Sequence, residues 1–153
     1  MAIDLLIKNG MLIDGTGASA RRGDIAVAGG KIVDIGIVGD SATRVIDAED
    51  LVVAPGFVDP HTHYDAQICW DQTVSPSPWH GVTTVMMGNC GVGIAPCTPA
   101  RRVTAMNDLV NVEGMSFEVL NAGITWDWES FPEFIAAAER RGAADAVPLS
   151  RDG

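Results

Sequence analysis

The run Pro55-Gly56-Phe57-Val58-Asp59-Pro60-His61-Thr62-His63-Tyr64 constrains this chain more than any other stretch. A Pro-Gly break opens it, an apolar segment follows, and two imidazoles two residues apart close it. If the segment is a β-strand, side chains at i and i+2 project to one face, roughly 6.5 Å apart along the strand. His61 and His63 could then close on one ion at the zinc–nitrogen distance of roughly 2.0 to 2.1 Å. Phe57 and Asp59 share that face, and an acid just below the pair could orient an imidazole from outside the ligand shell. The plainer reading is a pair of exposed polar residues in a loop, because His-x-His is short enough to arise by chance.

The rest of the chain limits what this stretch can serve. At 153 residues and 47% apolar content it has the size of about one globular domain. Twenty acidic against ten basic residues leave a net charge of −10, and no Lys/Arg-rich tract accompanies it, so nucleic acid and anionic membrane surfaces are excluded as expected partners. Asp4 and Lys8 bracket too few apolar residues for a signal h-region or a membrane span, which makes a cytoplasmic location the expectation. Cys69, Cys90 and Cys97 are an odd set with no export signal, so burial or thiol chemistry is expected rather than a disulfide framework.

In chain order, apolar residues from Ile3 to Ile13 flank Asn9-Gly10, a dipeptide suited to a type I′ turn, which predicts a hairpin there. A second hairpin is predicted at Gly29-Gly30, between Ile25–Ala28 and Lys31–Ile35. Arg44-Val45-Ile46 and Leu51-Val52-Val53 predict two short strands around the acidic turn Asp47-Ala48-Glu49-Asp50. Residues 1–54 thus read as an antiparallel β-domain, with a boundary at Pro55-Gly56. Beyond it, Phe57–His61 and the β-branched run Gly81–Met87 read as strands. Val103–Val112 carries a helical stripe at Val103, Met106, Leu109 and Val110. Ser130-Phe131-Pro132-Glu133 is a capping-box pattern that opens a helix through Arg141, with Gly142 beyond its end. Strands alternating with helices imply a parallel α/β arrangement, and Ala143–Leu149 could begin a third strand.

Cys90 follows the carboxyl end of the second of these strands in the glycine-flanked loop Gly88-Asn89-Cys90-Gly91. Active sites of parallel α/β folds lie at that edge, where His61 and His63 also end. Two nitrogens and a sulfur could therefore converge on zinc, and a bound thiol ligates as thiolate. Taken singly, Cys90 reads better as a buried inert thiol than as a ligand. Cys69 and Cys97 read as core or loop residues. His80 precedes its strand and is expected on the stability side. Asp65 is expected to make a loop hydrogen bond rather than reach the site, and Trp70, Trp126 and Trp128 are expected to pack.

These motifs carry a resemblance. A β-domain followed by Pro55 to His63 resembles the start of the amidohydrolase superfamily. His63-Tyr64-Asp65-Ala66-Gln67, Gly81-Val82-Thr83-Thr84-Val85, Gly88 to Gly93, Ala95-Pro96-Cys97 and Trp126-Asp127-Trp128-Glu129-Ser130-Phe131 resemble the N-acyl-D-amino-acid deacylases in particular. The resemblance implies a β-sandwich-like composite domain over 1–54, followed over 55–153 by the first two to three β/α units of an incomplete (β/α)8 barrel, since a whole barrel needs about 250 residues. It further implies that His61 and His63 bind zinc, with Cys90 as the main or bridging ligand, and that an N-acyl-D-amino acid is hydrolysed to a carboxylate and a D-amino acid. Family members carry two later histidine ligands, a catalytic aspartate and a substrate-carboxylate site that have no match here, so the chain reads as an amino-terminal piece, inactive alone and open to self-association or a complementing fragment. A non-catalytic remnant with a partial metal site, and an amidohydrolase acting on cyclic amides, are the alternatives.

Overall fold

The computed structural model describes residues 2–39 and 41–142. Contacts divide the chain into two compact units, Met1–Pro55 and Gly56–Gly153. The strand considered at Ala143–Leu149 lies outside the described residues.

The first unit is one five-stranded sheet built on β1 (Ile3–Leu12). On one side β1 pairs antiparallel with β2 (Arg21–Ala28), which pairs antiparallel with β3 (Lys31–Gly36). On the other side it pairs in parallel, first with β4 (Ala42–Asp47) and then with β5 (Val52–Val53). The sheet is therefore mixed rather than antiparallel, and the described residues of this unit form a single sheet rather than a sandwich. The reason is that the link from β3 to β4 and the short link from β4 to β5 both return the chain in the direction of β1. Gly29-Gly30, both at positive φ, makes the expected tight turn between β2 and β3.

Asn9-Gly10 does not turn the chain. Asn9 has φ +64°, and the dipeptide sits inside β1 where the pairing with β2 shifts register between Ile7 and Gly10. It is a bulge. The Asn9 amide donates to Asp24 Oδ1 at 2.9 Å, and Asn9 Nδ2 donates to Asp47 Oδ1 at 2.9 Å, so the bulge is tied to both neighbouring strands. Gly10 is required by the approach of Val53, whose Cγ2 would lie 2.5 Å from an added Cβ. Beneath lie Ile3, Leu6, Ala26 and Val38.

The second unit begins with β6 (Phe57–Thr62) and β7 (Val82–Met87), which pair in parallel as their sequences predict. Three helices follow: α1 (Arg102–Glu113), α2 (Phe117–Gly123) and α3 (Phe131–Arg141). Met106 and Leu109 of α1 are buried as the stripe predicts, whereas Val103 is 57% exposed. The sequence reading had no α2. Its signal was Ser116, whose hydroxyl accepts the Val119 amide as an N-cap. At α3 the Glu133 carboxylate accepts the Ser130 amide at 2.8 Å, and Gly142 ends the helix at φ +61°. The helices enclose Ile94, Leu109, Leu120, Ile124 and Phe134.

Trp128 packs in this core, 5.1 Å edge-to-face from Phe134, and its indole N–H donates to Ile94 O at 3.1 Å. Cys97 is buried and Cys69 packs against the same core, so both act as structural thiols. Among the described residues no helix is long and apolar enough to cross a membrane.

Asp24 is the polar centre of the first unit, 6% exposed, accepting from Asn9 at Oδ1 and from the Val38 amide at Oδ2. Those two amides hold its carboxyl below the usual carboxylate range. An acid whose pKa falls on folding stabilises fully above its ordinary value, and that contribution is lost as pH falls through the depressed one. Asp24→Asn is expected to cost about 1 to 3 kcal/mol at neutral pH. The gap from wild type should narrow below about pH 4, as read from urea midpoints across that range.

Candidate metal centre

Parallel pairing brings the carboxyl ends of β6 and β7 side by side, and two polar ties hold them. Thr62, a buried hydroxyl at the end of β6, donates to Met86 O at 2.8 Å. Asn89, just past β7, donates from Nδ2 to Pro60 O at 2.8 Å. Gly88 and Gly91, at φ +80° and +82°, fold the loop between them back on itself. Cys90 is thereby delivered to the histidines.

The ligand atoms of His61, His63 and Cys90 all lie within 4.8 Å of one another. Cys90 Sγ is 3.4 Å from His63 Nδ1, and the two imidazole centroids are 5.3 Å apart at 47°. Nitrogen and sulfur on one tetrahedral zinc stand roughly 3.5 Å apart, given their bond lengths, so this donor set and spacing fit such an ion. His61 is exposed, while His63 and Cys90 are half-buried. Cys90 Sγ is also held by the Val92 backbone, donating to its carbonyl at 3.2 Å and accepting from its amide at 3.3 Å.

Asp59 does not meet an imidazole. Its carboxylate accepts the backbone amide of His61 at 3.1 Å. The acid on an imidazole is Glu113, at the last position of α1, with Oε1 2.9 Å from His63 Nδ1. Sequence reasoning missed it, because nothing local to Glu113 marks it as different from a solvated helix acid.

Asp65 is 6% exposed and lines a cavity of about 480 Å³ with Val85, Gly91, Val92 and Phe134. Burial pushes its carboxyl up to about 6, against the opposing pull of His63 and of its own backbone amide. His80 ends the turn Ser77–His80 just before β7, at the opposite end of that strand from Cys90.

An α/β unit with nitrogen and sulfur donors gathered at the carboxyl edge of paired parallel strands belongs to the proteins that build their sites at that edge. The chain belongs to the amidohydrolase family, whose profile matches residues 44–153. It is similar to the D-aminoacylase of Alcaligenes xylosoxydans xylosoxydans, at 36% identity over 92% of this chain and 27% of that protein. It is also similar to the N-acyl-D-aspartate deacylase of the same organism, at 37% identity over 95% of this chain and 28% of the relative.

Among solved structures it matches a D-aminoacylase with a binuclear metal center, at a TM-score of 0.70, 33% identity, 88% of this chain and 26% of the other. It also matches the N-acyl-D-glutamate deacylase of Bordetella bronchiseptica, complexed with zinc and a phosphonate mimic of the tetrahedral intermediate, at a TM-score of 0.65, 30% identity, 92% of this chain and 27% of the other. The chain spans about a quarter of the length of the curated relatives it matches.

The tie from Asn89 to Pro60 can be cut without touching a ligand. Asn89→Ala is expected to lose about 1 kcal/mol of stability. Amide exchange at Gly91 and Val92 should quicken while that of α3 stays unchanged, as read by hydrogen–deuterium exchange.

Proposed function

We propose that this chain supplies one side of the metal centre of an N-acyl-D-amino-acid deacylase, with His61, His63 and Cys90 as ligands and zinc as the metal. The observation that carries the reading is the convergence of these two imidazoles and one thiol within 4.8 Å at a strand edge. Likeness to deacylases along most of the chain supports it, as does the zinc complex of the Bordetella bronchiseptica neighbour. On this reading residues 1–54 form one domain, and residues 55–153 supply the first β/α units of a (β/α)8 barrel. The partner is a small N-acyl-D-amino acid, joined by the polypeptide that completes the site.

When bound, zinc would act as a Lewis acid toward the acyl carbonyl and lower the pKa of a water. The chain's own residues set the stage for that. β6 holds the two imidazoles on one strand end, and Thr62 and Asn89 fix that end to β7. The Val92 backbone fixes the position of Cys90 Sγ, its amide donating to the sulfur and its carbonyl accepting from it. The cavity beside Asp65 is lined mostly by apolar side chains, Val85, Val92 and Phe134 among them.

A second reading, hydrolysis of cyclic amides, draws on 36% identity to an Escherichia coli allantoinase over 83% of this chain. A cysteine at position 90 in the site loop favours the deacylase.

Metal content and activity test the two parts separately. After dialysis against zinc, the wild-type chain is expected to retain stoichiometric metal by elemental analysis, and Cys90→Ala to lose it. The chain mixed with zinc and the remaining three quarters of a D-aminoacylase is expected to release free D-amino acid from N-acetyl-D-amino acids, and His61→Ala to abolish release. Turnover of cyclic amides without turnover of N-acyl substrates would sink the deacylase reading.

A further inference from the structure

The cavity that Asp65 lines runs along an open strand edge. Its wall takes in Thr84, Val85, Met86 and Met87, four successive residues of β7. Successive side chains of a strand point to opposite faces, so a cavity that touches all four lies beside the strand rather than over one face of it. Among the described residues β7 pairs on one side only, with β6. The facing wall comes from α3, through Phe131 and Phe134. An unpaired edge presents N–H and C=O groups suited to a further strand, and two parallel strands are too few to make a stable sheet by themselves.

One carboxyl group enters this groove. Asp65 is 6% exposed, and among the described residues the hydrogen bond to its carboxyl comes from its own backbone amide alone. A buried carboxylate with one donor keeps acceptor capacity to spare, and its burial is costly until a further donor arrives. We propose that the groove between β7 and α3 is the seat of one β-strand of the polypeptide that completes the site, a strand that pairs with the open edge of β7 and carries a lysine or arginine to Asp65. The inference rests on the reading of this chain as one side of a larger metal centre. The groove's chemistry selects that occupant. An apolar ligand would leave Asp65 unpaired, and a small cation would leave the strand edge unpaired. A second copy of this chain, with a net charge of −10, brings the wrong sign to a buried carboxylate. A strand with one basic side chain satisfies both the edge and the acid.

Hydrogen–deuterium exchange reads the docking directly. When the chain is mixed with the remaining three quarters of a D-aminoacylase, exchange across Val82–Met87 is expected to slow by at least about tenfold. Asp65→Asn should weaken the association, measured by titration calorimetry, by about 30-fold or more. In the unmixed chain the same variant should leave the thermal midpoint unchanged or raise it, because a buried charge without a partner is removed. Phe131→Glu tests the other wall. Phe131 is 52% exposed and stands in the first turn of α3, where an acid is favoured, so the variant should fold and still weaken the association about tenfold.

Four results would overturn the proposal: exchange across β7 that is already slow before mixing, exchange that mixing does not change, an association indifferent to Asp65→Asn, or a thermal midpoint lowered by that variant. The first would mean that this chain, or a second copy where protection grows with concentration, fills the groove. The last would make Asp65 a structural residue of the chain itself. If the mixture protects β7 yet releases no D-amino acid, the deacylase reading falls and the docking stands. Release of D-amino acid with β7 unprotected would do the reverse.

Discussion

The parallel pairing of β6 with β7 is the constraint on which the candidate site depends. Neither strand alone brings more than two donors together. Once paired, one strand end carries two imidazoles, and the loop after the other strand carries a thiol to within 3.4 Å of the second imidazole. The register that does this is held from within the site edge, by Thr62 to Met86 O and Asn89 to Pro60 O. Both acceptors are backbone carbonyls, so the ties fix the strands rather than particular side chains. That leaves the ligands free to be chosen for their chemistry.

A similar device organises the first unit. β1 has partners of opposite sense on its two sides, and the bulge at Asn9-Gly10 is where it is fastened to both, through Asp24 on β2 and Asp47 on β4. Asp24 then reaches on to the Val38 amide. A buried carboxylate accepting from two backbone amides does for this sheet what the two side-chain ties do for the strand pair: it satisfies polar backbone groups that an irregular chain path would strand away from water.

How much of this was legible in the sequence depended on how local the deciding interaction is. Helix α3 was legible because Ser130, Pro132, Glu133, Arg141 and Gly142 signal its start and stop from within or beside it. The turn at Gly29-Gly30 was legible for the same reason. Asn9-Gly10 presents the same kind of dipeptide, yet positive φ serves a bulge as well as a turn. The residues that decide between them lie 15 and 38 positions away. His61, His63 and Cys90 could be brought together on paper because each ends or follows a recognisable strand. Glu113 could not, because its contact with His63 depends on where α1 docks, and helix periodicity carries no record of docking. The acid the sequence placed beside the pair, Asp59, spends its carboxylate on the His61 amide instead.

Gly56 carries a consequence for the far end of these strands. A Cβ at position 56 would lie 2.1 Å from Thr83 Oγ1 and 2.6 Å from Thr83 Cβ, so the strands can lie this close at their amino ends only while residue 56 has no side chain. A side chain there would have to push Thr83, and with it the amino end of β7, away from β6, while the Thr62 and Asn89 ties hold the opposite end in place.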